Sequence, residues 1–152
     1  MGMFGMFGKR NNGIDPVTGE DGGDMVAMMK MMGSMPHMMR KPMMKGRINQ
    51  LLALSEEKRQ QSVRDMIGAF NSPKVNSKTQ ESLVATRVEI VGELPEDKRR
   101  TMISSRTQAL KAAPELEIAD QRVQERILSK VPQQAREAFL RSWEYVRKDA
   151  NG

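Results

Sequence analysis

Apolar residues recur along this chain at helical spacing, broken by short polar or proline-bearing corners. Met25, Met28, Met29 and Met32 fall at i, i+3, i+4 and i+7, one face of a helix. Asp24 precedes them as a candidate N-cap, and Gly33-Ser34 followed by Pro36 ends the run. Met38, Met39, Met43 and Met44 then continue the apolar pattern around Arg40, Lys41 and Pro42. Pro42 is expected to prevent a single long helix, because it lacks an amide proton and its ring crowds the preceding turn. The pattern predicts a short amphipathic helix, a proline kink and a second apolar piece.

Farther on, three helix starts align: Leu54-Ser55-Glu56-Glu57-Lys58-Arg59, Leu94-Pro95-Glu96-Asp97-Lys98-Arg99 and Val131-Pro132-Gln133-Gln134-Ala135-Arg136. Ser55 suits an N-cap, Pro95 and Pro132 suit a first helical turn, and carboxylates beside them complement the helix dipole. Eight residues after Ser55, Pro95 and Pro132 stand Val63, Ile103 and Leu140; four residues before them stand Leu51, Val91 and Leu128. Apolar positions agree on both sides of each corner, which marks a helix-corner-helix unit repeating at about forty residues. Helices are predicted over 46–54, 56–70, 79–93, 95–112, 116–130 and 132–148. Asn71-Ser72-Pro73 and Ala113-Pro114 mark breaks between units. Phe139, Leu140 and Trp143 share one helical face, which assigns them to the core, beside Tyr145.

The expected fold class is all-α: helical-hairpin repeats or a small helical bundle, with a flexible Met-rich N-terminal arm. Residues 1–24 form a glycine-rich start and linker, in which Met-Phe-Gly occurs twice over residues 3–8 and turn residues dominate from Asn11 to Asp24. Residues 25–45 form the Met-rich amphipathic segment and 46–148 the helical-hairpin domain. Residues 149–152 are expected to fray.

Composition narrows the chemistry. The 152 residues are 38% hydrophobic and only 4% aromatic, with 29% charged, which favours solvated helices over sheet. A formal charge of +6 permits attraction to nucleic acid or peripheral contact with an anionic membrane. Arg59, Arg64, Arg87, Arg99, Arg100, Arg106, Arg122, Arg126, Arg136 and Arg141 could stripe a concave face, with Arg59, Arg99 and Arg136 at one offset in all three units. Acids interleave with them, and almost no aromatic platform accompanies them, so nucleic-acid binding is not the expected role. No window approaches twenty uncharged apolar residues and no charged-then-apolar start is visible, so the expectation is a cytoplasmic protein.

Catalytic chemistry has little to draw on. There is no cysteine, which excludes disulfides, thiolate metal sites and a cysteine nucleophile. His37 is the only histidine, so two-histidine zinc sites and paired Glu-x-x-His di-iron sites are also excluded. The pairs Glu56-Glu57 and Glu96-Asp97 stand on first helical turns, where capping and the helix dipole account for them. Lys9 after Gly8 lacks the earlier glycine and following hydroxyl of a phosphate loop, and Met6 occupies the place where myristoylation at Gly2 needs Ser or Thr. No enzymatic activity is expected.

Ten methionines between Met25 and Met44, with His37 among them, are the unusual feature. Thioether side chains are unbranched and polarizable, so they make either an adaptable apolar surface or a set of soft ligands. In composition, residues 25–46 resemble the methionine-rich M domain of signal-recognition-particle proteins. The resemblance implies an adaptable apolar groove. The function expected is that of a non-enzymatic accessory or scaffold subunit of a larger complex, which binds an apolar partner surface or self-associates through Phe4, Phe7, Met25, Met28, Met29, Met32, Met35, Met38 and Met39. The rival is a Cu(I)-binding protein using Met35, His37, Met38 and Met39. A Met face packed on its own helical domain is the structural alternative to both.

Overall fold

Short capping signals set the helix boundaries. Ser55 accepts from the Lys58 amide at 3.4 Å and Asn76 from the Thr79 amide at 2.8 Å, each satisfying an amide that the first turn leaves unpaired. The computed structural model describes the backbone of residues 22–151 and the side chains of 25–150. It contains α1 Gly22–Ser34, α2 His37–Ala53, α3 Glu56–Phe70, α4 Ser77–Glu93, α5 Glu96–Leu110, α6 Pro114–Ile127 and α7 Gln133–Asn151, with a 3₁₀ turn at Leu128–Lys130 between the last two. The all-α expectation holds, and no strand occurs among the described residues. No described helix is long and apolar enough to cross a membrane.

Helix α4 is the axis of the bundle. It packs against α1, α2, α6 and α7, while α3, α5 and α7 pack in succession along one side. Leu83, Val84, Val88, Ile90 and Val91 of α4 are buried, and so are Met102 and Ile103 of α5, Ile127 of α6 and Phe139 of α7. Two glycines permit the closest helix contacts. A Cβ at Gly92 would stand 2.2 Å from the Ala135 carbonyl oxygen, and one at Gly33 would stand 2.4 Å from Thr79 Cγ2. Thus α7 lies against α4 at backbone distance, and the end of α1 closes on the start of α4.

Three features differ from the sequence-based expectation. The arm ascribed to 25–45 is folded onto the bundle: Met25, Met28, Met29 and Met32 belong to the main hydrophobic core. Their stripe is a core face, packed where α1 meets α3 and α4. Second, Pro42 breaks nothing, since α2 runs through it from His37 to Ala53 and absorbs the helix predicted over 46–54. Pro42 and Met38 are both solvent-exposed in the first turns, so the missing bond to the Met38 carbonyl falls on the wet side of the helix, while Arg40 and Lys41 anchor the other side. Third, Asp149 to Asn151 continue α7 instead of fraying, and the helix predicted over 116–130 tightens to 3₁₀ geometry at Leu128.

Among the described residues the repeated corner is present four times, at Met35-Pro36 as well as at the three aligned helix starts. In each, an apolar residue turns its amide back three places: Met35 to Met32, Leu54 to Leu51, Leu94 to Val91 and Val131 to Leu128, at 3.1–3.2 Å. Pro36, Ser55, Pro95 or Pro132 follows, and four residues later comes Arg40, Arg59, Arg99 or Arg136. Each guanidinium reaches back over the corner to the carbonyl five residues earlier: Met35, Leu54 and Leu94 at 2.7 Å and Val131 at 3.3 Å. The arginine thereby caps the C-terminal end of the preceding helix, where carbonyls lack partners and the dipole favours a cation. Three of them also donate Nε to a hydroxyl on a distant helix. Arg40 meets Thr86 and Arg59 meets Ser105, both at 2.9 Å, and Arg99 meets Ser142 at 2.7 Å.

Candidate functional site

The arginines at a common offset are not a surface stripe. Arg40, Arg59 and Arg99 are buried, and their guanidinium groups are committed to carbonyls and hydroxyls inside the corners. Arg59 also pairs with Glu56 at 2.7 Å. Burial pushes the Glu56 carboxyl up, but hydrogen bonds from Gln60, Arg59 and Ser105 outweigh it and hold the group below its ordinary value. Glu56 is therefore taken up by the contacts of its own corner.

The candidate binding residues divide into two sets. Phe4 and Phe7 lie outside the described residues. Met25, Met28, Met29 and Met32 are in the core, which removes them from any docking surface on this structure. Met35 is half-buried in the first corner, whereas Met38 is 79% and Met39 56% exposed. Helix geometry puts Met38 with Pro42, and Met39 with Met43, on adjacent rows, so the early turns of α2 present an apolar face. Met31 of α1 is exposed as well.

The opposite side of that helix end is held by charge. His37 Nε2 lies 3.0 Å from Glu89 Oε1, and Lys41 Nζ donates to Glu89 Oε2 at 2.7 Å and Glu93 Oε2 at 2.9 Å. Burial raises the Glu89 carboxyl, but hydrogen bonds from Lys41 and His37 prevail and hold it low; the same bonds to Glu89 and Glu93 raise Lys41. Of the rival copper set, Met38 and Met39 face solvent and His37 already spends one ring nitrogen on Glu89. No cluster of three or more His, Asp or Glu side chains suited to a metal ion occurs among the described residues.

A second site lies inside the bundle. A cavity of about 120 Å³ is lined by Met29, Met32, Met44, Met66, Met102 and Trp143, together with Ile48, Leu51 and Phe139. Trp143 is stacked on Phe139, with ring centroids 6.2 Å apart and planes at 17°. Arg47, Arg87, Arg106 and Gln124 give this otherwise apolar space its polar edge.

Asp120 on α6 organises that edge. Arg106 donates Nη2 to Asp120 Oδ1 at 2.5 Å and Nε to Oδ2 at 3.1 Å, while Arg87 Nη1 stands 3.7 Å from Oδ1. Arg87 Nη2 also donates to Gln124 Oε1 at 3.4 Å. Burial raises the Asp120 carboxyl, yet Arg106 and then Arg87 overcome it and bring it down to about 2. Burial, with the neighbouring charge of Arg106, lowers Arg87 to about 10 despite Asp120. The cluster holds two cations and one anion.

Arg87 and Arg106 are legible in the sequence as basic residues, but their convergence on Asp120 comes from three helices meeting and has no local pattern. Arg40 did carry a signal, its place four residues after Pro36. Against known protein families, curated proteins and solved structures, the chain matches none.

Proposed function

We propose that this protein is a non-enzymatic helical scaffold that engages an apolar partner surface, or a second copy of itself, through the exposed Met face at the start of α2. The observation that carries the reading is the exposure of Met38 and Met39 on a helix whose other side is pinned to α4 by Arg40, Lys41 and His37. A rigid support with an adaptable apolar surface suits a docking element, since methionine repacks around partners of different shape and a fixed backbone loses little freedom on binding. On this reading Met35, Met38, Met39 and Met43 make contact, and Met25, Met28, Met29 and Met32 stabilise the fold beneath.

Light-scattering mass of the wild type and of a Met38→Ser/Met39→Ser/Met43→Ser variant, in copper-free buffer, tests the proposal. A wild-type oligomer reduced to a monomer in the variant supports self-association through this face; an oligomer unchanged by the substitutions removes it. If the wild type is monomeric, binding of an apolar fluorescent dye should be lost in the variant.

The alternative Cu(I) reading would use Met35, His37, Met38 and Met39, and it requires His37 to leave Glu89 on the side of α2 away from Met38 and Met39. Replacing Met38 and Met39 by leucine separates the two ideas: apolar area survives but sulfur lone pairs do not. Docking should tolerate that change, and copper binding should not.

A further inference from the structure

The cavity inside the bundle, to which all seven helices contribute lining residues, combines three properties. Its walls are largely Met, Leu, Ile, Phe and Trp, and five of the wall residues are methionines able to shift around an occupant. Its volume of about 120 Å³ is a little below the roughly 150 Å³ that accepts benzene in an apolar protein interior, so it has room for about six carbons. Its polar edge carries an excess cation: Arg87 and Arg106, each only 17% exposed in its side chain, share the single carboxylate of Asp120. A shielded positive excess is costly in a poorly solvated place, and an incoming anion would relieve it.

We propose that this cavity binds a small amphipathic carboxylate, an alkyl or aryl acid whose apolar group enters between Met29, Met32, Met66 and Met102 and whose carboxylate meets Arg87 and Arg106. Guanidinium groups suit the task because they donate in a planar fork that matches a carboxylate. A neutral ligand of the same length would gain the apolar burial and leave the excess charge unanswered, and an amine would add to it. The site thus selects by charge at one end and by size at the other. It is separate from the exposed face of α2, so it stands or falls independently of the scaffold reading.

Trp143 is the only tryptophan and lines the cavity, so its fluorescence reports occupancy directly. Hexanoate, hexanol, hexylamine and acetate would be titrated into the intact chain, with thermal stabilisation as a second readout. The expected result is a saturable Trp143 response to hexanoate, with hexanol and hexylamine weaker by roughly ten-fold or more and acetate inactive, since charge pairing and apolar burial both contribute. Arg106→Gln should lower hexanoate affinity to that of hexanol and leave hexanol binding unchanged. Equal binding of hexanoate and hexanol by the wild type would overturn the charge selection, and no saturable response to hexanoate would overturn the site. If Arg106→Gln does not fold, as judged by circular dichroism, the wild-type ligand series decides alone.

Discussion

Arg99 Nε lies 2.7 Å from Ser142 Oγ, joining the start of α5 to the middle of α7 across 43 residues of sequence. Both side chains are buried, and a second guanidinium nitrogen of Arg99 is held by the Leu94 carbonyl. Arg99→Ala should therefore cost about 3 kcal/mol, since it removes packing and leaves the carbonyl and hydroxyl without their donor. Ser142→Ala should cost about 1–3 kcal/mol by orphaning Nε alone. Urea denaturation of both single variants and the double variant checks this, and the double variant should be less destabilised than the sum of the singles.

Asp120 gives stability a defined acid limb. Its carboxyl is depressed from 3.8 to about 2, so its contribution is complete above about pH 4 and disappears as the pH falls through 2. The size is on the order of 2 kcal/mol. Urea midpoints measured at pH 7, 4 and 2.5 should fall between the last two values in the wild type. In Asp120→Asn that part of the decline should be missing, on a lower plateau.

Two glycine-to-alanine changes should act in opposite directions. At Gly92 a methyl group would run into the Ala135 backbone 2.2 Å away, so α4 and α7 must separate; a loss of several kcal/mol is expected. At Gly46, within α2, nothing stands within 4 Å of the added carbon, and the gain in helix propensity should stabilise by about 1 kcal/mol. Thermal melts of Gly92→Ala and Gly46→Ala report both. A destabilised Gly46→Ala would show that this face of α2 is covered in solution.

The methionines can be sorted by stability measurements. Met29, 7% exposed, should lose about 2–5 kcal/mol when replaced by alanine. Met38, 79% exposed, should change by less than about 0.5 kcal/mol. Equal, small effects at both positions would mean that α1 is not seated on the bundle.

The helices from Ser55 onward were legible because capping residues, first-turn acids and apolar spacing agree at each corner. Met35-Pro36 was harder to recognise as a corner of the same kind. Its first turn carries His37, Met38 and Met39 where the other units have acids or glutamines, and Pro36 reads equally well as a stop signal. Arg40 was the clue, since it occupies the same place as Arg59, Arg99 and Arg136. The burial of the α1 stripe is consistent with its periodicity, but periodicity cannot say whether an apolar face meets its own chain or another. Asp120 between Arg87 and Arg106 could not be read from spacing, because the three approach one another only when α4, α5 and α6 assemble.

The guanidinium contacts also bear on how the molecule can come apart. The chain segments closed by Arg40 with Thr86, Arg59 with Ser105 and Arg99 with Ser142 overlap in sequence, each beginning before the previous one ends. Lifting any one hairpin strains a contact that closes its neighbour, so partial opening has no inexpensive starting point among these helices. The consequence is a single cooperative unit in which amide protons of α3, α4 and α5 exchange with solvent at similar, slow rates, in contrast to repeat arrays whose end units open alone.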